Sequence, residues 1–449
     1  MKQTTFFAIN ILLAVGMLTC SCSGNSPTPA ETPDNPTGEV PEAVYDETGC
    51  LYTSYTNLAM AGYQGWFAAE GDESDRGWYH YRSHQCGGFF PGCTNVDFFP
   101  EMSEYTKTYA SPFNYPDGSQ AYLYSPYDEE SVDLHFKWMK EYGLDGVHMQ
   151  RFVAEIKPAN PSGKRHFNKV LSNALKSAKK YDRAISIMYD LSGCTPDDVA
   201  YLEEDWNELQ ETFDLFDNKQ HPTLLRHNGK PLVSIWGVGF NDGRKYSIED
   251  VSRLVDRLKG PSNKVSIMLG VPYYWRTLDR DTESSPALHE LIKKVDIIMP
   301  WAVGRYDHSS YSNSAAILKA DMQWCRDNGV DYIPLAFPGF SWGNMHNDPS
   351  LYNSIPRLKG DFFWQQVSGA KMAGAESLYI AMFDEIDEGT AIFKCAREED
   401  VPLNGHLRFM GIENDLQPDY YLWLSGQATA WFNGKAGYGP VKPERNLKQ

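Results

Sequence analysis

The sequence predicts an α/β protein with the architecture of a (β/α)8 barrel, the TIM barrel. Eight short apolar runs alternate with longer stretches in which apolar residues recur every three or four positions, and these two patterns indicate buried strands and helices. Strict alternation favours parallel strands joined by right-handed crossovers, and eight such units close naturally into a barrel. The alternative is an open doubly wound sheet. It would usually carry a glycine-rich phosphate turn after its first strand, and GYQGWF is no such turn.

The predicted strands and helices are spread over most of the chain. The strand candidates are LAMAGYQGWF (58–67), DGVHMQRF (145–152), AISIMYDL (184–191), PLVSIWGVGF (231–240), VSIMLGVPYYW (265–275), VDIIMPWAVGRY (295–306), DYIPLAFPGFSW (331–342) and SLYIAMFDE (377–385). The helix candidates cover residues 128–143, 166–182, 199–216, 247–260, 287–295, 314–329 and 361–375.

A barrel gathers its active site at the carboxyl ends of its strands, so the residues that end the apolar runs are the candidates for substrate binding. We predict that substrate is bound by Trp66, Gln150, Arg151, Tyr189, Asp190, Trp236, Tyr274, Trp301, Arg305, Trp342 and Asp384. Gln64 and Tyr273 also end strands. Tryptophan rings suit stacking on the apolar faces of sugars, although they also fill space between strands and helices. A structural salt bridge is the alternative for Arg151.

The long connection after the first strand is a second candidate region, because a barrel enzyme usually builds its specificity in such loops. It contains GWYHY, with Trp78 and His80, and VDFFPEM, with Asp97 and Glu101.

The last strand candidate runs into FDEIDEG, in which Asp384, Glu385, Asp387 and Glu388 crowd together. Glycosidic cleavage commonly needs one protonated carboxyl group, which donates to the departing oxygen, and one ionised carboxylate. Residues three apart in a helix-like turn share one side, so Glu385 and Glu388 can form this catalytic pair. We expect their mutual repulsion to raise the pKa of one of them. A solvated helix N-terminus is the alternative.

FDEIDEG resembles the NEWHEG motif of the glycoside hydrolase family 99 endo-α-mannosidases and, more loosely, the acidic motif of the family 71 α-glucanases. Similar stretches are GYQGWF, GWYHY, VDFFPEMSEY, GLDGVHMQRF and MPWAVGRY, so that the resemblance to family 71/99-like bacterial proteins covers most of residues 50–435. It implies a barrel that hydrolyses glycans, and such bacterial proteins often carry lipoprotein leaders.

The resemblance also implies roles for the two glutamates. Glu385 matches the residue that in family 99 assists formation of a 1,2-anhydro sugar through the 2-hydroxyl, and Glu388 matches the acid/base. In the family 71 mode the same pair would activate water and invert the anomeric centre, so the stereochemistry stays open. Asp384, Ile386 and Asp387 replace the Asn, Trp and His of the motif.

The N-terminus predicts export. Lys2 and an apolar run precede Cys20 and Cys22, which is typical of a lipoprotein leader with one of the two cysteines lipidated; an ordinary cleaved signal is the alternative. We predict a leader over residues 1–22, a Pro-rich linker over 23–49 and the catalytic domain over 50–440. The protein would then contact the membrane only through its lipid anchor. It would be an outer-membrane or periplasm-facing lipoprotein, with the cell surface as a further location.

Composition narrows the function. A formal net charge of −18 with 41 basic residues argues against nucleic acid as a partner, and no metal-ligand motif such as HExxH occurs. We predict a monomeric glycoside hydrolase that needs no cofactor or metal. It would cleave O-glycosidic bonds of a polysaccharide or oligosaccharide, and internal cleavage of an α-mannoside or α-glucan is one such activity. The alternative is a glycan-binding surface lipoprotein on a barrel that no longer cleaves.

Overall fold

Eight parallel strands form the centre of the fold in a computed structural model that describes residues 43–445. The strands are β1 (Ala59–Tyr63), β2 (Gly146–Phe152), β3 (Ala184–Asp190), β4 (Lys230–Trp236), β5 (Ser266–Pro272), β6 (Ile297–Trp301), β7 in two parts (Asp331–Tyr332 and Leu335–Ala336) and β8 (Leu378–Ile380). Each corresponds to one of the eight predicted runs, with β4 beginning one residue before its run, and these strands pair in parallel.

The sheet closes through its seventh strand. β1 pairs with both β2 and β8, while the first part of β7 pairs with β6 and its second part with β8. Between the two parts, Ile333 N donates to Ile298 O at 2.9 Å and Pro334 O accepts from Tyr379 N at 2.9 Å. Pro334 has no N–H and cannot continue the ladder, which explains the division of the strand. The predicted (β/α)8 barrel is therefore confirmed, and the open doubly wound sheet is wrong.

Helices surround the barrel. They are α1 (Glu129–Tyr142), α2 (Val153–Ile156), α3 (Pro161–Tyr181), α4 (Pro196–Phe213), α5 (Ile248–Leu258), α6 (Ala287–Ile292), α7 (Tyr311–Asn328), α8 (Gly343–His346), α9 (Asp361–Met372) and α10 (Tyr420–Phe432), with 3-10 turns at Pro349–Leu351, Leu358–Gly360 and Glu398–Asp400. The seven predicted helices correspond to α1, α3, α4, α5, α6, α7 and α9. α10 was not predicted, because it is apolar on most of its surface and lacks the alternation that marks a half-buried helix.

Alternate residues of the strands belong to two separate apolar clusters. Met60, Met188, Met268, Met299 and Tyr379 pack together inside the barrel. Their neighbours along each strand pack outward in the layer between the barrel and the helices. This alternation decides which strand-end side chains reach the open end of the barrel.

Short antiparallel pairs of strands lie outside the barrel. Tyr109–Asn114 pairs with Gln120–Leu123 in the long connection after β1, Leu403–Asn404 pairs with Leu407–Arg408, and Arg226–His227 pairs with the start of β4. The same long connection contains a disulfide between Cys86 and Cys93, which closes the small loop GGFFPG.

The predicted leader, with Cys20 and Cys22, lies outside the described residues, as does most of the predicted linker. Within residues 43–445, no helix combines the length and apolar character needed to span a membrane.

Candidate active site

The acidic loop, defined here as residues 383–391, follows β8 at the carboxyl end of the barrel. Phe383 N donates to Gly62 O at 2.7 Å. The carboxylate of Asp384 accepts hydrogen bonds from Gln64 N at 2.7 Å and from Gly65 N at 2.9 Å. Asp384 is fully buried and fastens the end of β8 to the end of β1. This position corrects the prediction that Asp384 contacts substrate.

Other segments hold the far side of the acidic loop. Phe98 N donates to Ile386 O at 2.9 Å, and Ser341 N donates to Glu388 O at 2.9 Å. Arg357 Nη2 donates to Gly389 O at 2.9 Å and to Ala391 O at 2.8 Å. The backbone that carries Glu385 and Glu388 is therefore fixed from several directions.

A cleft of about 410 Å³ opens beside this loop. Seven predicted residues line it, namely Trp66, Gln150, Asp190, Trp236, Trp301, Glu385 and Glu388. The other lining residues are Gln64, Tyr79, His80, His84, Phe152, Ala154, Glu155, Ser192 and Met382. Four carboxyl groups and several aromatic rings thus converge at the end of the barrel where parallel α/β barrels place their active sites.

Glu385 and Glu388 differ in their surroundings. Glu385 is buried and accepts hydrogen bonds from Gln64 Nε2 at 2.5 Å and from Thr390 Oγ1 at 2.6 Å. Glu388 is partly exposed at the cleft. Burial raises the pKa of Glu388 to about 8, with Asp387 as the next cause. Burial raises the pKa of Glu385 well above its ordinary value, with repulsion from Glu388 as the next cause, while the hydrogen bonds from Thr390 and Gln64 oppose the rise.

The two aspartates of the loop are protonated more readily than usual for the same reason. Burial raises the pKa of Asp384 to about 7, against the opposing hydrogen bonds from Gly65 and Gln64. Burial likewise raises the pKa of Asp387 to about 7. Neither oxygen of Asp387 has a hydrogen-bond partner within the described part of the chain, and Oδ2 lies 3.7 Å from His80 Nδ1. Removal from water, more than mutual repulsion, therefore sets the protonation of this cluster.

Trp66 lines the cleft with its edge. One face of its ring stacks on His80 at 3.9 Å between centroids, and the other stacks on Phe152 at 4.9 Å. Because both faces are covered, Trp66 cannot serve as the sugar-stacking platform that the sequence suggested.

Trp236 and Trp301 meet edge to face at 5.3 Å. Gly270 makes room for Trp236, since a Cβ on Gly270 would lie 2.3 Å from the indole Cδ1. Arg244 lies 5.4 Å from the centroid of the same ring. Both indoles are partly exposed at the cleft, so either can contact a ligand.

Arg151 and Tyr189 lie outside the cleft. Arg151 forms a two-point ion pair with Asp205 of α4, at 2.5 Å from Nε and 2.7 Å from Nη2, and Tyr189 donates to the same carboxylate at 2.9 Å. Both side chains lie on the outward-facing side of their strands. Met149 and Ile187, two residues earlier in the same strands, pack beneath the helices on that side. The prediction that Arg151 and Tyr189 bind substrate at the barrel rim is therefore corrected. For Arg151 the alternative, a structural salt bridge, is the one observed.

Tyr274, Arg305 and Trp342 do not line the cleft either. Arg305 pairs with Asp281 at 2.6 Å, and Arg280 lies 3.9 Å from the ring centroid of Tyr274. The Trp342 side chain opposes the rise in the pKa of Glu388, although its Nε1 has no hydrogen-bond partner of good geometry among the described residues. These residues stand on loops beyond the strand ends, where strand alternation gives no guide to direction.

Sequence reasoning missed Glu155, Tyr79 and His84 as lining residues. Glu155 lies on α2, just after β2, and pairs with Arg76 at 2.5 Å while accepting a hydrogen bond from the Tyr79 hydroxyl. Tyr79 and His80 belong to GWYHY in the long first connection, where specificity was expected, so the signal was regional and did not single out residues. Burial lowers the pKa of His80 to about 3 and keeps its ring neutral.

No group of three or more His, Cys, Asp or Glu side chains in residues 43–445 is arranged to hold a metal ion.

A (β/α)8 barrel whose carboxyl end presents a cleft of carboxyl groups and aromatic rings has the architecture of glycoside hydrolases. The chain is similar to the structure of the GH99 endo-α-mannosidase from Bacteroides thetaiotaomicron, with a TM-score of 0.59 and 16% identity over 84% of this chain and 98% of that one. A structure of that enzyme in complex with Bis-Tris propane gives a TM-score of 0.57 and 15% identity over the same shares.

The likeness confirms the predicted resemblance to family 99 at the level of the fold. No protein-family model matches the sequence, and comparison with curated proteins gives no match.

Proposed function

We propose that the protein is a glycoside hydrolase that cleaves O-glycosidic bonds of a polysaccharide or glycan, with Glu385 and Glu388 as its catalytic pair. The observation that carries the proposal is the meeting of these two carboxyl groups at the cleft, one buried and held by two donors and the other partly exposed. Two carboxyl groups in unlike surroundings are what acid and base roles require.

Glu388 is the general acid in this proposal. With a pKa of about 8 it keeps its proton at neutral pH and can donate it to the departing oxygen. Glu385 acts as the base, either on a substrate hydroxyl or on water. The first route passes through a 1,2-anhydro sugar and the second inverts the anomeric centre.

The similar solved structures are of an endo-α-mannosidase, which favours internal cleavage of an α-mannoside as the first substrate to test. Asp384 and Asp387 stand where the family motif has Asn and His, so α-glucans belong in the same test. We further propose that the protein is exported as a lipoprotein through Cys20 or Cys22, because the leader sequence is of that type. We also propose that it acts as a monomer.

The direct test is a screen of purified protein against α-mannans, α-glucans, xylans and host-type glycans, with product size and anomeric form read by NMR. In an enzyme, Glu388→Gln should reduce turnover by about 100-fold or more while sugar binding persists. Binding without release of product from any of these polymers would instead support the glycan-binding alternative.

A further inference from the structure

Glu385 is held by one hydrogen-bond donor on each of its two oxygens. Gln64 Nε2 lies 2.5 Å from Oε1, and Thr390 Oγ1 lies 2.6 Å from Oε2. Gln64, Thr390 and Glu385 are all buried, so these bonds are shielded from water. Hydrogen bonds to a charged group in such surroundings are stronger than those between neutral groups.

Both donors have fixed positions. Gln64 follows β1, and its backbone N–H is bound by Asp384 at 2.7 Å. Thr390 N donates to the carbonyl of Glu385 at 3.1 Å, within the acidic loop. The geometry around the Glu385 carboxyl is thus set by backbone contacts and does not depend on side-chain packing alone.

The donors favour the ionised form of Glu385. The Gln64 amide nitrogen can donate but cannot accept, so Oε1 of Glu385 is an acceptor in either protonation state. The Thr390 hydroxyl can donate to an ionised carboxylate or accept from a protonated one, and the bonds that the two donors make to the ionised form are the stronger. Glu388 has no comparable pair of donors among residues 43–445. The neighbouring Trp342 Nε1 lies outside hydrogen-bond geometry.

Several titratable groups face the pair. Glu388 and Asp387 face Glu385 from its own loop, and Tyr379 faces it from β8. Asp190 of β3 faces Glu388, while His84 and His80 face Asp387. Tyr379 is neutral throughout the physiological range, because burial raises its pKa far above the ordinary value. Except for the two histidines, the neighbours of the pair are acidic, so they favour a proton somewhere in the cluster without deciding where.

We infer that Gln64 and Thr390 are positioning residues that orient the Glu385 carboxyl and favour its ionised form, and thereby shift the proton of the pair toward Glu388. The inference rests on the proposed function for its catalytic consequence, but the protonation that it assigns can be measured without turnover.

Thr390→Val and Thr390→Ser form a matched pair, because valine keeps the shape of threonine without the hydroxyl and serine keeps the hydroxyl. The measurement is a ¹³C NMR titration of glutamate carboxyls, with Glu385 assigned by Glu385→Gln. Loss of a hydrogen bond to a charged group should raise the pKa of Glu385 in Thr390→Val by about one to two pH units. Thr390→Ser should leave it near the wild-type value, and Gln64→Met should raise it as Thr390→Val does.

The same variants are then compared on whichever polymer the screen identifies. The acid limb of the kcat/KM profile should move upward with the Glu385 titration in Thr390→Val and stay in place in Thr390→Ser. Circular dichroism checks that each variant is folded. A Glu385 titration that is the same in wild type and Thr390→Val would overturn the inference even if activity fell. Absence of turnover in the wild type together with the expected titration shift would reject the proposed function and leave the inference standing.

Discussion

At the scale of single residues, the four acids of FDEIDEG have four different situations. Asp384 binds two backbone amides, and Glu385 is held by Gln64 and Thr390. Asp387 is buried without a hydrogen-bond partner in the described chain, whereas Glu388 reaches the cleft. Their sequence neighbours are almost the same, so the differences come from the surfaces that fold against each side chain.

The first prediction concerns the pH dependence of cleavage. Glu388 must be protonated to act as an acid, and its pKa is about 8. We therefore expect kcat to fall tenfold per pH unit above about pH 8 on an unactivated glycan. An aryl glycoside with a good leaving group needs little proton donation and should lack this fall. If both substrates lost activity together above pH 8, Glu388 would not be the acid.

The second prediction concerns Asp387 and stability. A carboxyl group whose pKa is higher in the folded than in the unfolded state binds protons on folding, so its contribution to stability falls as pH rises from about 4 to about 8. Asp387→Asn removes this dependence. Relative to wild type, the variant should gain about 2 kcal/mol more in unfolding free energy at pH 8 than at pH 5. Urea unfolding at both pH values measures it, with Asp197→Asn, an exposed aspartate in the first turn of α4, as control. A gain that does not change with pH would contradict this cause.

Strand alternation explains how far the site could be predicted from the sequence. Gln150, Asp190, Trp236 and Trp301 end strands in the inward phase and line the cleft, whereas Arg151 and Tyr189 are one residue out of phase and point outward. That distinction was already present in the sequence. The covering of Trp66 by His80 was not, because His80 lies in a connection whose path no local pattern specifies.

At the scale of elements, Arg357 is the main external support of the acidic loop. Its guanidinium lies between the rings of Phe98 and Tyr421, at 4.3 and 4.6 Å from their centroids, and donates to the carbonyls of Gly389 and Ala391. A delocalised planar cation can stack on two aromatic rings and donate in its plane at the same time. A lysine ammonium cannot reproduce this arrangement.

The third prediction follows from that support. Arg357→Met should lower the free energy of unfolding by about 3 kcal/mol, because two buried charge-assisted hydrogen bonds are lost. It should also reduce turnover, since the loop that carries Glu388 loses its anchor. Arg408→Met is the matched control, because Arg408 lines the same surface pocket as Arg357, is exposed and packs on Tyr352. Its effect should stay within about 0.5 kcal/mol. Equal effects of the two variants in chemical denaturation would contradict a special role for Arg357.

The fourth prediction concerns β5 and the cleft wall. A Cβ on Gly270 would overlap the indole of Trp236 and the backbone of that residue at 3.0 Å. Gly270→Ala should therefore destabilise the fold by about 1–3 kcal/mol and displace Trp236. Sugar binding should weaken, as measured by calorimetry. Gly304→Ala is a control for a glycine whose Cβ would meet no atom within 4 Å, although its positive φ adds strain. Unchanged sugar affinity in Gly270→Ala would show that Trp236 does not contact the ligand.

The elements themselves were largely predictable, because hydrophobic periodicity reports burial directly. β7 and α10 show where that signal ends. Pro334 divides a run that looks continuous in hydropathy, and α10 is apolar on nearly every side, so that neither boundary nor period marks it. Both features depend on contacts with parts of the chain far away in sequence.

At the scale of the whole molecule, the charge of the cleft agrees with that of the protein. The formal net charge is −18, and none of the residues lining the cleft is Lys or Arg. Glu155 has a cationic partner in Arg76, whereas none of the other three lining carboxyl groups is paired with Lys or Arg among the described residues. The two arginines nearest the lining, Arg76 and Arg244, are paired with Glu155 and Asp242. An anionic sugar would therefore meet net repulsion in the cleft.

The fifth prediction is that the cleft discriminates against anionic glycans. A polyuronide should bind at least tenfold more weakly than the same polymer after chemical reduction of its carboxyl groups, provided that the reduced polymer is a ligand at all. Affinity electrophoresis at low and high salt measures both, and added salt should narrow the difference. Stronger binding of the polyuronide at low salt would indicate a cationic subsite elsewhere.

The divided seventh strand has a consequence for how the barrel opens. The first part of β7 pairs only with β6 and the second part only with β8, so few hydrogen bonds close the barrel at this strand. Longer ladders connect β2, β3, β4 and β5. Local unfolding should begin at β7. The backbone amides of residues 332, 333, 335 and 336 are therefore expected to exchange with deuterium earlier than those of β3, and the barrel would open between β6 and β8 into an open sheet.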